Sequence, residues 1–152
     1  RLQFYGVMWS ITGIDQFYPE TYTPAQVDLE ADETFHETIA ETYTEIQWAF
    51  NVLDVGFALA SATPLVLVNE PILISNGENS NIRYNFFYPR WAYDEYRMLM
   101  QTKADENGWN YYELWDVVPP DEFTNSAVHL TVAGETLLVE RIVDIILAEA
   151  AQ

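Results

Sequence analysis

Cysteine is absent from all 152 residues. Disulfides, thiolate metal sites and cysteine nucleophiles are therefore excluded, and the redox compartment is left open. Positive charge is scarce: six Lys and Arg stand against 24 Asp and Glu, a net charge of −18. Such a field repels phosphate backbones and anionic lipid, which argues against nucleic-acid and membrane-surface roles. Long apolar runs are missing too; none approaches the roughly 18 residues that a membrane span requires. What remains is 49% hydrophobic and 15% aromatic, a composition that folds and is long enough for one domain with a sizeable core.

The acid excess is steepest in the first sixty residues, where ten carboxylates face Arg1 alone. A self-repelling, solvated surface is the plain reading and suits an extracellular or salt-adapted protein. The stretch "DLEADE" (28–33) invites a calcium reading. It lacks the Asp/Asn-rich loop with a central glycine that a calcium hand needs. The chain opens "RLQFYGVMW", with neither Met nor a signal peptide; the expectation is a processed start or a piece of something longer.

Hydrophobic patterning predicts three strands alternating with three helices. "QFYGVMW" (3–9) reads as a buried strand. From Asp32 to Ser61, apolar residues recur at steps of four and three through Phe35, Ile39, Tyr43, Ile46, Phe50, Leu53 and Phe57, which draws one stripe down a long helix. "TPLVLVNEPILI" (63–74) is an unalternating apolar run, as in a strand covered on both faces, with Pro64 opening it and Pro71 closing it. A loop follows (75–89), then a helix over 90–108 between Pro89 and Gly108. "WNYYELWDV" (109–117) is the third strand. A last helix begins near Gly134, with Leu138, Ile142, Ile145 and Ile146 inward.

This β-α-β-α-β-α order implies an α/β fold with parallel strands and helices on both faces. Ligand sites in such sheets lie beyond the carboxyl ends of the strands. The loops there are 10–16, 69–88 and 116–130, and the third carries His129 in "TNSAVHLTVAGETLL". Asn69 and Glu70, at the end of the second strand, are polar candidates at the same edge. The other histidine, His36, reads as a solvated helix residue. A metal site joining it to His129, Asp15 and Asp116 is not demanded by any spacing.

The block Phe123-Thr124-Asn125-Ser126-Ala127-Val128-His129-Leu130-Thr131-Val132-Ala133-Gly134 resembles the C-terminal loop of the SGNH (GDSL-type) hydrolases, which often reads F-(T/S/Y)-D-x-x-x-H-L-T-x-x-G before the final helix. The likeness covers residues 63–150 well and 1–62 more loosely. It implies a three-layer α/β/α, flavodoxin-like domain over residues 1–152, of which this chain holds about three strands. It also implies an esterase or deacetylase chemistry with no cofactor and no metal. His129 matches the family's general base, which takes a serine proton and returns it to the leaving group. The family's acid lies three or four positions before the histidine. Here those positions are Ser126 and Asn125, and Asp121 and Glu122 lie farther back on the same loop.

The family's Gly-Asp-Ser nucleophile motif does not occur in this sequence. Its oxyanion asparagine is replaced by "TGIDQ", in which Gly13 and Ile14 supply amides and Asp15 a carboxylate. Five serines are present, Ser10, Ser61, Ser75, Ser80 and Ser126, and none sits in a strand-to-helix elbow. The aromatic stretch 76–96, with Arg83 and Arg90, reads either as a substrate wall with an arginine for an anion or as loop anchoring.

Two functions follow. One is an SGNH-type serine ester hydrolase acting on a small-molecule ester or acylated carbohydrate, its nucleophile supplied by a missing N-terminal segment or another chain. The other is a catalytically inactive binding or assembly module. Either way the apolar strand at 3–9 is expected to pair with a missing segment or to self-associate.

Overall fold

The computed structural model describes residues 29–40, 48–60 and 63–151. The expected first strand (3–9) and the loop bearing Ser10, Gly13, Ile14 and Asp15 lie outside the described residues, as does Ser61. Within them the order is α1 (Asn51–Leu59), β1 (Val66–Asn69), α2 (Arg90–Asn107), β2 (Asn110–Glu113) and α3 (Val132–Ala150), with a 3-10 turn at Pro120–Glu122. The architecture is mixed α/β.

β1 and β2 pair in parallel, Val66 opposite Asn110 and Asn69 opposite Glu113. The strands are shorter than the apolar runs that encode them. Pro71 has no amide to donate, so the regular ladder cannot pass it. Backbone bonding nevertheless continues: Leu114 N donates to Asn69 O at 3.0 Å, Ile72 N to Trp115 O at 2.9 Å, and Leu73 N to Ala127 O at 2.8 Å. These bonds tie the loop after β1 to the loop after β2.

α2 ends where its punctuation predicts. Pro89 is its N-cap in extended geometry, and Gly108 closes it in the left-handed region at φ 67°, which a glycine adopts without a Cβ clash. Its buried side carries Ala92, Tyr93, Met100 and Ala104. Two apolar clusters flank the sheet end. One holds Ile72, Tyr84 and Tyr93, backed by Tyr96 and Trp115. The other holds Leu73, Val118, Phe123 and Ala127, backed by Leu130 and Leu138 of α3.

The long helix expected from Asp32 to Ser61 is corrected. Among the described residues of that stretch the α-helix is Asn51–Leu59, and residues 32–39 take another path; residues 41–47 and Ser61 lie outside the described residues. Asp32 accepts from the backbone and hydroxyl of Thr34, at 2.9 and 3.1 Å, the local competition that draws Asp and Thr out of helices. Phe35 and Thr38 exchange backbone bonds around His36 and Glu37, both at positive φ. Two carbonyls the helix would use are taken elsewhere, Asp32 O by Arg83 and Glu33 O by Trp91, and just ahead of it Asn79 holds Leu29 O. Tertiary bonds to a loop some fifty residues away override the periodic pattern.

α3 starts at Val132, two residues before Gly134, with Thr131 as its cap. Leu138, Ile142 and Ile145 turn inward to different degrees, but Ile146 is 52% exposed. It joins Val139, Val143 and Leu147 on an outward apolar stripe. Among the described residues no helix is long and apolar enough to cross a membrane.

Candidate functional site

A groove of about 340 Å³ opens beyond the carboxyl end of β1. Asn69 and Glu70 form its floor and lip, and the rings of Phe35, Trp48, Tyr88, Tyr93 and Tyr96 form one wall. Val128, the residue before His129, lines it from the second loop. The expectation that the functional edge lies past the strand ends thus meets a concave, aromatic surface at that edge.

Asn69 is 7% exposed. Its Oδ1 accepts from the Tyr93 hydroxyl at 3.3 Å, while its Nδ2 is buried with no hydrogen-bond partner among the described residues. A buried amide donor without an acceptor is costly and calls for an explanation. Burial pushes the phenols of Tyr93 and Tyr96 up from their ordinary value, with the Glu113 carboxylate adding to the rise at Tyr96. Both rings are therefore neutral hydroxyl carriers at physiological pH.

The histidine loop is built by its neighbours. Thr131 is the N-cap of α3: its hydroxyl accepts from Gly134 N at 3.1 Å and donates to the Glu122 carboxylate. Thr131 N donates to Glu122 O at 2.8 Å. Gly134 lies so close beneath this turn that an added Cβ would meet Glu122 O at 2.9 Å and Val118 Cγ1 at 3.2 Å. Thr124 N and Oγ1 both donate to His129 O, at 2.8 and 3.1 Å, and Phe123 bridges Leu130. The Thr and Gly of H-L-T-x-x-G thus fix the loop to the helix, and the backbone of His129 is held while its side chain is exposed.

The acid candidates on this loop do not converge on the imidazole. Among the described residues no hydrogen bond joins a side chain to it. Asp121 is exposed on the 3-10 turn, and the Glu122 carboxylate is held by Thr131. Asn125 Oδ1 sits 3.4 Å from the Thr124 hydroxyl, and Ser126 Oγ accepts from Val128 N at 3.3 Å. Of the other serines, Ser75 Oγ is 8% exposed by residue and accepts from Gly77 N, and Ser80 O accepts from Arg90.

Arg83, a candidate anion ligand, is buried and holds the carbonyls of Asn85, Phe86 and Asp32, with the Asp32 carboxylate 4.0 Å away. Its geometry is that of a loop anchor. His36 is exposed, its ring 4.4 Å from that of Phe35. No cluster of three His, Asp or Glu side chains among the described residues could hold a metal ion.

Sequence reasoning placed Asn69 and Glu70 at this edge and noticed the aromatic stretch. It missed Phe35 and Trp48, which it assigned to a helix stripe and a helix interior. Set beside protein-family models, curated proteins and solved structures, the chain matches none of them.

Proposed function

We propose that this chain carries the base-bearing part of an SGNH-type ester hydrolase, with the groove past β1 as the place where the acyl ester lies. The three-layer arrangement of that family is part of the proposal. Its support is the second loop. An exposed histidine follows a parallel strand, precedes a helix capped by its own Thr131, and stands next to a residue that walls an aromatic groove. In this reading His129 takes a proton from a serine hydroxyl and returns it to the departing alkoxide. The Asn69 amide, left with an unused N–H, supplies a donor for the carbonyl oxygen of the bound ester. The serine comes from outside the described residues.

The test uses the natural protein that carries this chain. A fluorophosphonate probe is expected to label one serine, and p-nitrophenyl acetate to be hydrolysed. His129→Ala is expected to lower turnover by several orders of magnitude, as loss of a base does in triads. Labelling and turnover that survive this substitution would remove His129 from the mechanism.

A second reading rests on a specific observation. No carboxylate among the described residues reaches the imidazole, so none of them supplies the charge that stabilises an imidazolium. A binding module that keeps the groove without the chemistry accounts for that. Ligand binding with no probe labelling decides for it.

A further inference from the structure

The groove has a composition that selects its ligand. Five rings run in contact along one wall: Trp48 to Tyr96 at 5.3 Å between centroids, Tyr96 to Tyr93 at 5.7 Å, Tyr93 to Tyr88 at 5.2 Å, and Tyr88 to Phe35 at 5.9 Å. Successive rings are turned by 32°, 52°, 47° and 44°, so neighbouring rings are tilted rather than stacked flat. The residues described around the groove include a carboxylate, Glu70, and no Lys, Arg or His. The two arginines nearest the aromatic cluster are already committed. Arg97 lies 3.9 Å over Trp115 and pairs with Glu113 at 2.9 and 2.7 Å, and Arg90 lies 4.3 Å over Tyr84. The whole chain carries a net charge of −18.

A row of aromatic rings with a carboxylate beside it attracts positive charge. Ring faces are negative, and a cation within about 6 Å of a centroid is stabilised without a hydrogen bond. An anionic ligand meets no cationic side chain among the described lining residues and is repelled by the field of the chain. A neutral sugar would need several directed polar groups. The lining offers one side-chain amide, Asn69, whose oxygen accepts from the Tyr93 hydroxyl, so the directed polar groups left are the Asn69 N–H, the Glu70 carboxylate and the hydroxyls of Tyr88 and Tyr96. The cavity volume, about 340 Å³, lies at the small end of pockets that hold organic molecules.

We propose that the groove binds an organic ammonium ion, quaternary or tertiary, seated against the rings of Tyr88, Tyr93, Tyr96 and Trp48 with Glu70 at the mouth. Combined with the hydrolase reading, the substrate class is an ester whose alcohol or acyl part carries that ammonium, its carbonyl turned toward Asn69. This second statement rests on the hydrolase reading, whereas the binding does not.

The experiment is a pair of titrations read by tryptophan fluorescence and by calorimetry, with choline against 3,3-dimethylbutan-1-ol, the neutral carbon analogue of the same shape. Choline is expected to bind at least about tenfold more tightly, the equivalent of one good desolvated cation–aromatic contact. Glu70→Gln, at an exposed position, is expected to weaken choline and not the alcohol. Tyr96→Leu is expected to weaken choline by about tenfold. Equal affinity for the two ligands, or no binding of choline, overturns the proposal, as does a neutral methyl glycoside that binds where choline does not. Leu147→Ala, an exposed residue of α3 outside the groove lining, is expected to leave choline affinity unchanged. Choline binding without esterase activity sinks only the hydrolase reading, and esterase activity without choline binding sinks only this one.

Discussion

The loops that leave the two strands at the same edge of the sheet are built on opposite plans. The first, from Glu70 to Pro89, buries Arg83 and Asn85 and spends both on backbone groups. Asn85 is fully buried; its Nδ2 donates to Leu73 O and its Oδ1 accepts from Phe87 N and Tyr88 N. Arg83 holds three carbonyls. The second, from Leu114 to Thr131, uses Phe123, Ala127 and Val118 as its anchor and leaves His129, Asn125 and Asp121 facing solvent. A buried, satisfied polar group is part of the scaffold. Polar side chains on loops held by a rigid scaffold are where binding and catalytic residues concentrate. The difference assigns structure to Arg83 and Asn85.

Alkali should separate the two loops most strongly. The first is sealed by neutral phenols: burial pushes Tyr84 and Tyr93 up, and the Asp94 carboxylate adds to the rise at Tyr84. The second contains no tyrosine. Because the native values lie above the unfolded value of about 10, this contribution to stability is complete below that pH and is lost as pH rises through the native values. Amide exchange is expected to accelerate in residues 70–96 before it does in 116–131 as pH passes about 10. Simultaneous opening would mean that the two loops are one unit.

Substitution gives the next largest effect. Asn85→Ala leaves Leu73 O, Phe87 N and Tyr88 N without their partner, and is expected to cost about 3 kcal/mol in urea unfolding. A loss below about 0.5 kcal/mol would show that the first loop does not depend on its inward network. Gly134→Ala should cost about 1–2 kcal/mol, since the new methyl meets Glu122 O and Val118 Cγ1. A stabilisation instead, from the better helix former, would mean that the 118–122 turn yields easily. The smallest change is expected for His129→Ala and Asp121→Ala, each within about 0.5 kcal/mol, because neither side chain supports the fold.

Much of this contrast is written locally. Pro89 and Gly108 mark both ends of α2, Pro71 ends the ladder of β1, and the Thr131-to-Gly134 spacing marks the cap of α3. The parallel pairing follows from the alternation of apolar runs and amphipathic segments. Residues 32–39 were not legible because the carbonyls of Asp32 and Glu33 answer to Arg83 and Trp91, partners that no local window contains. The same distance hid the groove: Phe35 comes from one segment, Trp48 from another, and Tyr88, Tyr93 and Tyr96 from a third. The outward stripe of Val139, Val143, Ile146 and Leu147 shows a further limit. Periodicity announces that a helix has apolar faces, and which of two faces is covered depends on what packs there.

The most direct measurement is esterase turnover of the natural protein with and without His129→Ala, at equal folded fraction verified by unfolding. The account predicts unchanged stability together with a loss of turnover by several orders of magnitude. Turnover equal to that of the parent protein would contradict it.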